Sequence, residues 1–366
     1  MSHWKRITFA RAVETLPTKN KIKTSDILST GQTPVVDQST NMIAGFTNSP
    51  VFYTNPPYII FGDHTRSVKY VDFSFNPGAD GVKVLKVNNE NLDSEFVYEY
   101  LRFTPIQNLG YSRHFKLLKE ITIPEPPLEE QRRIAIILTE CNNSIKRQRI
   151  TIERLKEILN AVFYQRFGSP YQNQKQLPPR KLSELAVIKT GNTPPRSVAT
   201  NYGDFIPWVK SDNLGDWEIT IPEESLSKQG AQKGRIAEPG SILVTCIAGS
   251  IKSIGKSSLI EHEVAFNQQI NSLTPKPNMS NSAFLFAALN SYPNLVRDKS
   301  TGGLKGIVKK SAFEDITLPV PPMREQQSFS LLFEKLRDIV NLRSRKLTLL
   351  EELHQSLAAR AFAGQL

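Results

Sequence analysis

The sequence predicts an α+β fold in which two mixed α/β units, dominated by short strands, alternate with two long helices as a pseudo-twofold internal repeat. Three observations predict it: a proline-rich block that occurs twice at one offset, a heptad-spaced apolar series after each copy, and strand patterns before each copy. At 366 residues the chain is long enough for two domains that each bury a core.

The block reads ITIPEPPLEEQRR over 121–133 and ITLPVPPMREQQS over 316–328. Subtracting 121 from 316 gives an offset of 195, under which Pro124, Pro126, Pro127, Glu130 and Gln131 fall on Pro319, Pro321, Pro322, Glu325 and Gln326. Leu128 falls on Met323. Each copy runs from a short β-branched stretch, through prolines that forbid a regular element, into acidic residues opening a helical stretch. Glu129 and Glu130 suit the positive end of a helix dipole, and Pro127 suits its start. Helices are therefore predicted to begin near Leu128 and Met323, with no internal Pro or Gly before Gly168 and Gly364.

The first helix reads in heptads, with Leu138, Ile145, Ile152 and Leu159 in one series and Cys141, Gln148, Leu155 and Val162 in the other. The 195 offset yields Phe333, Val340, Leu347 and His354, then Leu336, Arg343, Leu350 and Leu357. Gln148 and Arg343 occupy equivalent places, as a shared polar layer fixing the register of two facing helices would. The alternative is two unrelated amphipathic helices, each packed on its own domain.

Upstream, TGQTP over 30–34 matches TGNTP over 190–194 at a different offset, 160, so the two units are predicted to differ in length by about 35 residues. Strand patterns lie in YIIFGDHTRSVKYVDF from Tyr58, VKVLKV from Val82, GSILVTC from Gly240 and QINSLTP from Gln269. Helical stretches are DSEFVYEYLRF from Asp93 and NSAFLFAALNSY from Asn281. The polar GSPYQNQKQLPPR, 168–180, reads as a linker. The predicted division is a first unit over 1–123, a first helix over 124–168, a linker over 169–180, a second unit over 181–318 and a second helix over 319–366.

Composition bounds the function. Hydrophobic content of 39% and charged content of 22% are those of a globular chain, and no apolar run approaches the roughly 18 residues of a membrane span. The opening MSHWKRITFARAVETL carries no secretory signal pattern, and Cys141 and Cys246 are too few for a disulfide framework, so a cytoplasmic protein is expected. A net charge of +11 favours a polyanionic partner, nucleic acid first, because each cation that meets a phosphate releases a counterion. A generically basic globular protein is the alternative.

A variable unit, an IxxPxPPxxEQ block and a helix ending in Phe-Gly or Phe-Ala-Gly, all of it twice, resembles the specificity subunit of Type I restriction-modification systems. That family pairs two target recognition domains with two conserved helical regions. The resemblance covers nearly the whole chain and includes IIFGDHTRSVKYVDFSF, GYSRHFKLLKEITIP and TGGLKGIVKKSAFEDITLP. A longer basic lead precedes TGQTP than precedes TGNTP after the linker, which leaves the first edge of the first domain open. The resemblance implies that each recognition domain reads one half of a split double-stranded DNA target. It further implies that the helices form an antiparallel coiled-coil spacer docking two methyltransferase (modification) subunits, and through them restriction (motor-nuclease) subunits. Catalysis and S-adenosylmethionine would then belong to the partners, leaving this chain no cofactor, metal or membrane role. The seam from Leu138 to Val162 would span about 37 Å at 1.5 Å per residue, about one turn of duplex.

Two motifs invite an enzymatic reading. NPPY, Asn55 to Tyr58, has the form of an amino-methyltransferase loop, making a stand-alone adenine-N6 DNA methyltransferase the rival hypothesis. Such an enzyme also needs a Gly-rich strand-to-helix turn for its cofactor, which the chain lacks. GSIKSIGKSS, 249–258, looks like a phosphate loop, but five residues separate Gly249 from Gly255 where the motif wants four. His64 and His114 stand singly, without triad or metal spacing. A coiled-coil protein-interaction scaffold with incidental charge is the third hypothesis.

Candidate DNA-binding residues in the first unit are Arg66, Lys69, Arg113, His114 and Lys116. In the second they are Arg196, Lys210, Asn213, Lys252, Lys256, Gln268, Lys305, Lys309 and Lys310. Arg, Asn and Gln can read base edges bidentately, whereas Lys more often meets phosphate. For each, a solvated surface or turn role is the alternative. Aromatics such as Tyr53, Tyr111, Trp208 and Trp217 read as packing residues, and Phe163, Phe167 and Phe362 as helix-end contacts to recognition domains or partners. The helix cations Arg132, Arg133, Lys146, Arg147, Arg149, Arg154 and Lys156 read as solvated or partner-binding rather than DNA-lining.

Overall fold

The computed structural model describes every residue except 1–3, 80, 111, 216 and 302–305. Lys305 and Tyr111 lie outside the described residues. The chain forms two compact units, residues 1–148 with 346–366, and residues 149–345. The unit boundaries cut both long helices, so each unit holds a mixed α/β domain and a part of each helix.

Unit 1 begins with β1 (Lys5–Thr8), α1 (Phe9–Ala12) and β2 (Val13–Leu16), followed by β3 (Thr33–Val36) and β4 (Gly45–Thr47). Then come β5 (Tyr58–Gly62), β6 (Val68–Val71), β7 (Asn76–Pro77) and β8 (Val82–Val87). Helices α2 (Ser94–Phe103) and α3 (Phe115–Lys119) and strand β9 (Thr122–Glu125) lead into α4 (Leu128–Phe167). The strands form a sheet in the order β2-β8-β5-β6, a smaller one in the order β4-β3-β7, and the pair β1-β9. Asp93 caps α2, its Oδ1 accepting from the N–H groups of Glu95 and Phe96.

Unit 2 repeats this plan with β10 (Pro179–Lys181), α5 (Leu182–Leu185), β11 (Ala186–Thr190), β12 (Tyr202–Gly203), β13 (Ile206–Val209) and β14 (Ser225–Leu226). Next are α6 (Lys228–Lys233), β15 (Ile236–Ala237), β16 (Ile242–Thr245), β17 (Ile247–Ala248), β18 (Ser257–Leu259), β19 (Val264–Phe266) and β20 (Ile270–Pro275). Helices α7 (Ser282–Ser291) and α8 (Asn294–Arg297), strand β21 (Gly306–Ile307), α9 (Lys310–Glu314) and β22 (Thr317–Pro319) precede α10 (Met323–Phe362). The sheet order β11-β20-β16-β18 reproduces β2-β8-β5-β6, and the pair β10-β22 reproduces β1-β9. Within β12-β14-β13-β19-β15, β13 pairs antiparallel with β14 and parallel with β19, as β3 does with β4 and β7.

This topology corrects one sequence correspondence. Phe9 opens α1 and Leu182 opens α5, an offset of 173, and the strand pairs β2 and β11 keep it. At α2 and α7 the offset is 188, from 94 to 282, and at the long helices it is 195. The two TGxTP turns, 160 apart, are therefore not equivalent: TGNTP leaves β11, whereas TGQTP enters β3. The offset is still 173 from β3 to β13 and grows only after them, so unit 2 is the longer, by 15 residues at α7 and a further 7 at α10, and the first edge of unit 1 is β1. Both glycines are required by close approach, since a Cβ on Gly191 would stand 2.2 Å from Asn267 O and one on Gly31 2.9 Å from Phe46 Cβ.

The helices are not packed each on its own domain. In unit 1, Ile134, Ala135 and Leu138 of α4 share a core with Ala358, Ala361 and Phe362 of α10 and with Phe96 and Val97 of α2. Arg133 Nη2 donates to Leu366 O at 2.8 Å and Cys141 Sγ to Leu350 O at 3.7 Å, so the two helices run antiparallel there. In unit 2, the end of α4 meets the start of α10, with Phe163 and Phe167 ring centroids 5.8 and 5.4 Å from Phe329. The contact Phe96–Phe362 (5.7 Å) recurs as Phe284–Phe167 (5.5 Å), each residue displaced by its local offset. Each α/β domain thus seals the start of its own following helix and the end of the other.

Along the seam Leu138, Ile145, Ile152, Leu159, Phe333, Leu336 and Val340 are buried, while Leu155, Leu347 and Leu350 are partly buried. Gln148 and Arg343 are also partly buried, and they belong to different units.

Candidate nucleic-acid interface

In unit 1, Asp63 at the end of β5 organises the first candidate surface. Its carbonyl accepts from His114 N–H at 2.9 Å and lies 2.9 Å from His114 Nδ1, and its Oδ1 accepts from Phe115 N–H at 2.8 Å. These bonds tie the β5–β6 turn to the segment entering α3. The turn carries Arg66, whose backbone adopts φ of 59° and whose Nη1 donates to Ile106 O at 3.1 Å. The tied segment carries Arg113 and Lys116, both exposed.

The same tie recurs in unit 2. Val308 N–H donates to Cys246 O at 2.8 Å, and β17 pairs with β21, joining the β16–β18 loop to the segment entering α9. The loop carries Lys252 and Lys256, and the joined segment Lys309 and Lys310; all four are exposed, and Lys310 pairs with Glu314 at 3.4 Å. The Gln269 carbonyl accepts from the N–H groups of Cys246 and Ile247, and Gln269 Oε1 accepts from Ser211 Oγ at 3.1 Å. Beside it exposed Gln268 accepts from the Thr193 hydroxyl of the TGNTP turn. Gln268, Lys210 and Lys252 therefore sit on segments knit together at one end of the sheets.

Arg196 and Lys210 converge on one carboxylate. Arg196 Nη2 lies 2.9 Å from Glu224 Oε2, Lys210 pairs with Oε1, and the Arg196 guanidinium stands 5.1 and 5.2 Å from the ring centres of Tyr202 and Trp208. The hydrogen bond from Lys210, with Arg196 beside it, holds the Glu224 carboxyl below its usual range although burial works upward. The cluster fixes two cations on an open surface, with Arg196 more than half exposed.

Three sequence candidates take other roles. Lys69 is 4% exposed, donating to Asp37 O at 2.8 Å and to Asn41 O, with Asp37 Oδ1 at 3.6 Å. Burial pushes its ammonium below the ordinary lysine range against the pull of Asp37, and it pins the β3–β4 loop rather than facing a phosphate. His114 is fully buried; Leu109 N–H donates to its Nε2 at 3.0 Å, which makes Nδ1 the donor to Asp63. Asn213 spends its amide locally, Oδ1 accepting from Lys210 N–H at 2.9 Å and Nδ2 donating to Thr220 Oγ1 at 3.2 Å.

Sequence reasoning missed exposed cations beside these surfaces. Lys19, Lys21 and Lys23 stand in the β2–β3 loop, in the legible basic run KNKIK, and Lys233 and Arg235 flank the site where Asn192 bonds to their backbone. The enzymatic motifs fold as connections. The carbonyls of Asn55 and Pro57 in NPPY both accept from Lys86 Nζ, at 2.6 and 3.1 Å, which leaves them engaged rather than poised for an exocyclic amine. In GSIKSIGKSS the N–H groups of Ser253, Ile254 and Gly255 bond within the protein, and Arg297 clamps the carbonyls of Lys252 and Ile254. Among the described residues no group of three or more His, Cys, Asp or Glu is placed to hold a metal. None of their helices is long and apolar enough to cross a membrane.

Comparison with known proteins agrees with this duplicated design. The specificity subunit of the Type I restriction enzyme EcoR124I/EcoR124II of Escherichia coli is 22% identical over 344 residues, covering 89% of this chain and 84% of that protein. The HindI specificity subunit of Haemophilus influenzae is 30% identical over 198 residues, covering 51% of this chain and 41% of that one. The S subunit of a Type I restriction-modification system from M. genitalium shares the fold with a TM-score of 0.63 at 15% identity, over 98% of this chain and 96% of that one. The model of the Type I restriction modification DNA specificity domain matches residues 11–155 and again 175–352, and the chain belongs to that family.

Proposed function

We propose that this chain is the DNA-reading specificity subunit of a Type I restriction-modification enzyme, with each recognition domain reading one half of a split target. The observation that carries the reading is the candidate surface built twice on one topology, with a sheet-edge turn bearing cations tied to the segment that enters α3 or α9. The tied segments differ in content, Arg66 and Arg113 in one unit against Lys252 and Lys309 in the other, so the two halves of the target differ. Arg113, Arg196 and Gln268 are the candidates for base edges, and the exposed lysines for phosphate.

The helices dock two methyltransferase subunits, and restriction subunits join through those. Supporting this, Ile136 and Leu331 are 63% and 65% exposed, and Ile158 and Leu353 46% and 49%. Each pair is related by the 195 offset, so the same apolar positions are presented twice, as two copies of one partner require. S-adenosylmethionine is bound by those partners, and this chain contributes no catalytic group. Footprinting of the assembled complex on its target tests the reading: two protected blocks with a gap are expected, and one continuous recognition block would contradict it.

A further inference from the structure

The junction between each recognition domain and its helix is a run of prolines. Pro124, Pro126 and Pro127 in unit 1, and Pro319, Pro321 and Pro322 in unit 2, have no N–H, so each junction lacks three main-chain donors. A glutamine side chain supplies donors there. Gln131 is fully buried; its Nε2 donates to Pro126 O and Asn91 O, both at 2.7 Å, and its Oε1 accepts from Asp93 N–H at 2.8 Å. Gln326, 1% exposed, does the same: its Nε2 donates to Pro321 O at 2.9 Å and Met279 O at 3.4 Å, and its Oε1 accepts from Asn281 N–H at 3.1 Å.

Asp93 and Asn281 are the N-cap residues of α2 and α7, so each glutamine on a long helix grips the first turn of a recognition-domain helix. Farther along, the two contacts diverge. Glu99 of α2 bonds to Asn142 of α4 in unit 1, where unit 2 places Ala287 of α7 and Arg337 of α10. The glutamine clamp is common to two halves that otherwise pack with different chemistry.

We propose that Gln131 and Gln326 are positioning residues that fix the angle of each recognition domain on its following helix, and so set the half-site spacing the enzyme accepts. Being buried, they read no base; they act through α2 and α7. The inference rests on the split-target reading above.

The test uses the full chain assembled with its methyltransferase subunits, and targets with native spacing, spacing one base pair shorter or longer, or one mismatch in a half-site. Gln131→Leu and Gln326→Leu each leave a buried N–H and two carbonyls unpaired, and are expected to lose about tenfold in discrimination against wrong spacing. Discrimination against half-site mismatches is expected to stay. Asp93→Ala and Asn281→Ala weaken the same helix caps but keep the main-chain N–H that the glutamine holds, and are expected to keep spacing discrimination. Should the leucine variants not fold, Gln131→Glu and Gln326→Glu keep the acceptor and lose the donors, with an expected loss of about threefold. Unchanged spacing discrimination in folded glutamine variants, or an equal loss in the cap variants, would overturn the proposal. A wild-type enzyme that reads one continuous block would overturn the split-target reading itself, whatever the glutamines do.

Discussion

At position 354 the heptad series that buries Phe333 and Val340 carries an imidazole, at the place where Leu159 lies fully buried in the first helix. His354 Nε2 stands 4.0 Å from Glu99 Oε2, with no hydrogen-bond partner among the described residues. Burial, then the Arg102 guanidinium, holds its pKa below the ordinary 6.5, while burial raises that of Glu99. Because the folded state resists protonating His354, the unfolded state binds more protons below 6.5, and this residue's contribution to stability falls as pH drops through that value. Thermal melts of His354→Leu should therefore show a smaller loss of Tm between pH 8 and pH 5.5 than the parent; an identical loss would count against the assignment. Lys69 offers a second residue-level test. Lys69→Ala leaves two carbonyls without their donor and removes the ion pair of partly exposed Asp37, which keeps its bonds from Ser39, an expected cost of about 1–3 kcal/mol in denaturant melts, with no change in the salt slope of DNA binding. Arg113→Ala should instead leave stability alone and either relax sequence preference, if it reads a base, or lower the salt slope by about one, if it meets phosphate. No change in either removes it from the interface.

Among the elements, the two long helices depend on aromatic anchors at their far ends. Phe362 packs 5.7, 5.1 and 5.4 Å from Phe96, Tyr100 and Phe103, so Phe362→Ala should cost unit 1 about 3–5 kcal/mol, read as a lowered unfolding midpoint. On the outer surface Ile136→Glu and Leu331→Glu leave the core intact and should each weaken assembly with methyltransferase subunits in sedimentation measurements, with no loss of Tm. Undiminished assembly of the double variant would refute docking at those positions. The helix starts, their seam and the flanking strands were legible because prolines, caps and heptads are local signals. Asp93 and Asn281, read as the openings of helical stretches, are their N-caps. The candidate surface was legible only in composition. Lys69 and His114 carry the residue types of DNA contacts, and what removes them is burial created by β3, β5 and α3 folding together. TGQTP and TGNTP misled for a related reason: a five-residue match reports a turn, and its place relative to the strands follows from loop lengths that only the folded topology reveals.

For the whole molecule, the repeat is reciprocal rather than serial. Each unit is completed by the other's helix, as the equivalent pairs Phe96–Phe362 and Phe284–Phe167 show, so neither half of the sequence contains all of its own unit. The recognition domains share a topology yet differ in loop length and exposed side chains, which is the condition for reading two different half-sites. On the proposed reading this chain supplies the sequence preference of a methyltransferase while doing no chemistry itself. Methylome sequencing of cells carrying the methyltransferase subunit, with and without this chain, tests it most directly. The expected result is one split adenine motif, two unlike half-sites around a fixed unspecified gap, that disappears when this chain is removed. A continuous motif, or a methylome unchanged by its removal, would contradict the account.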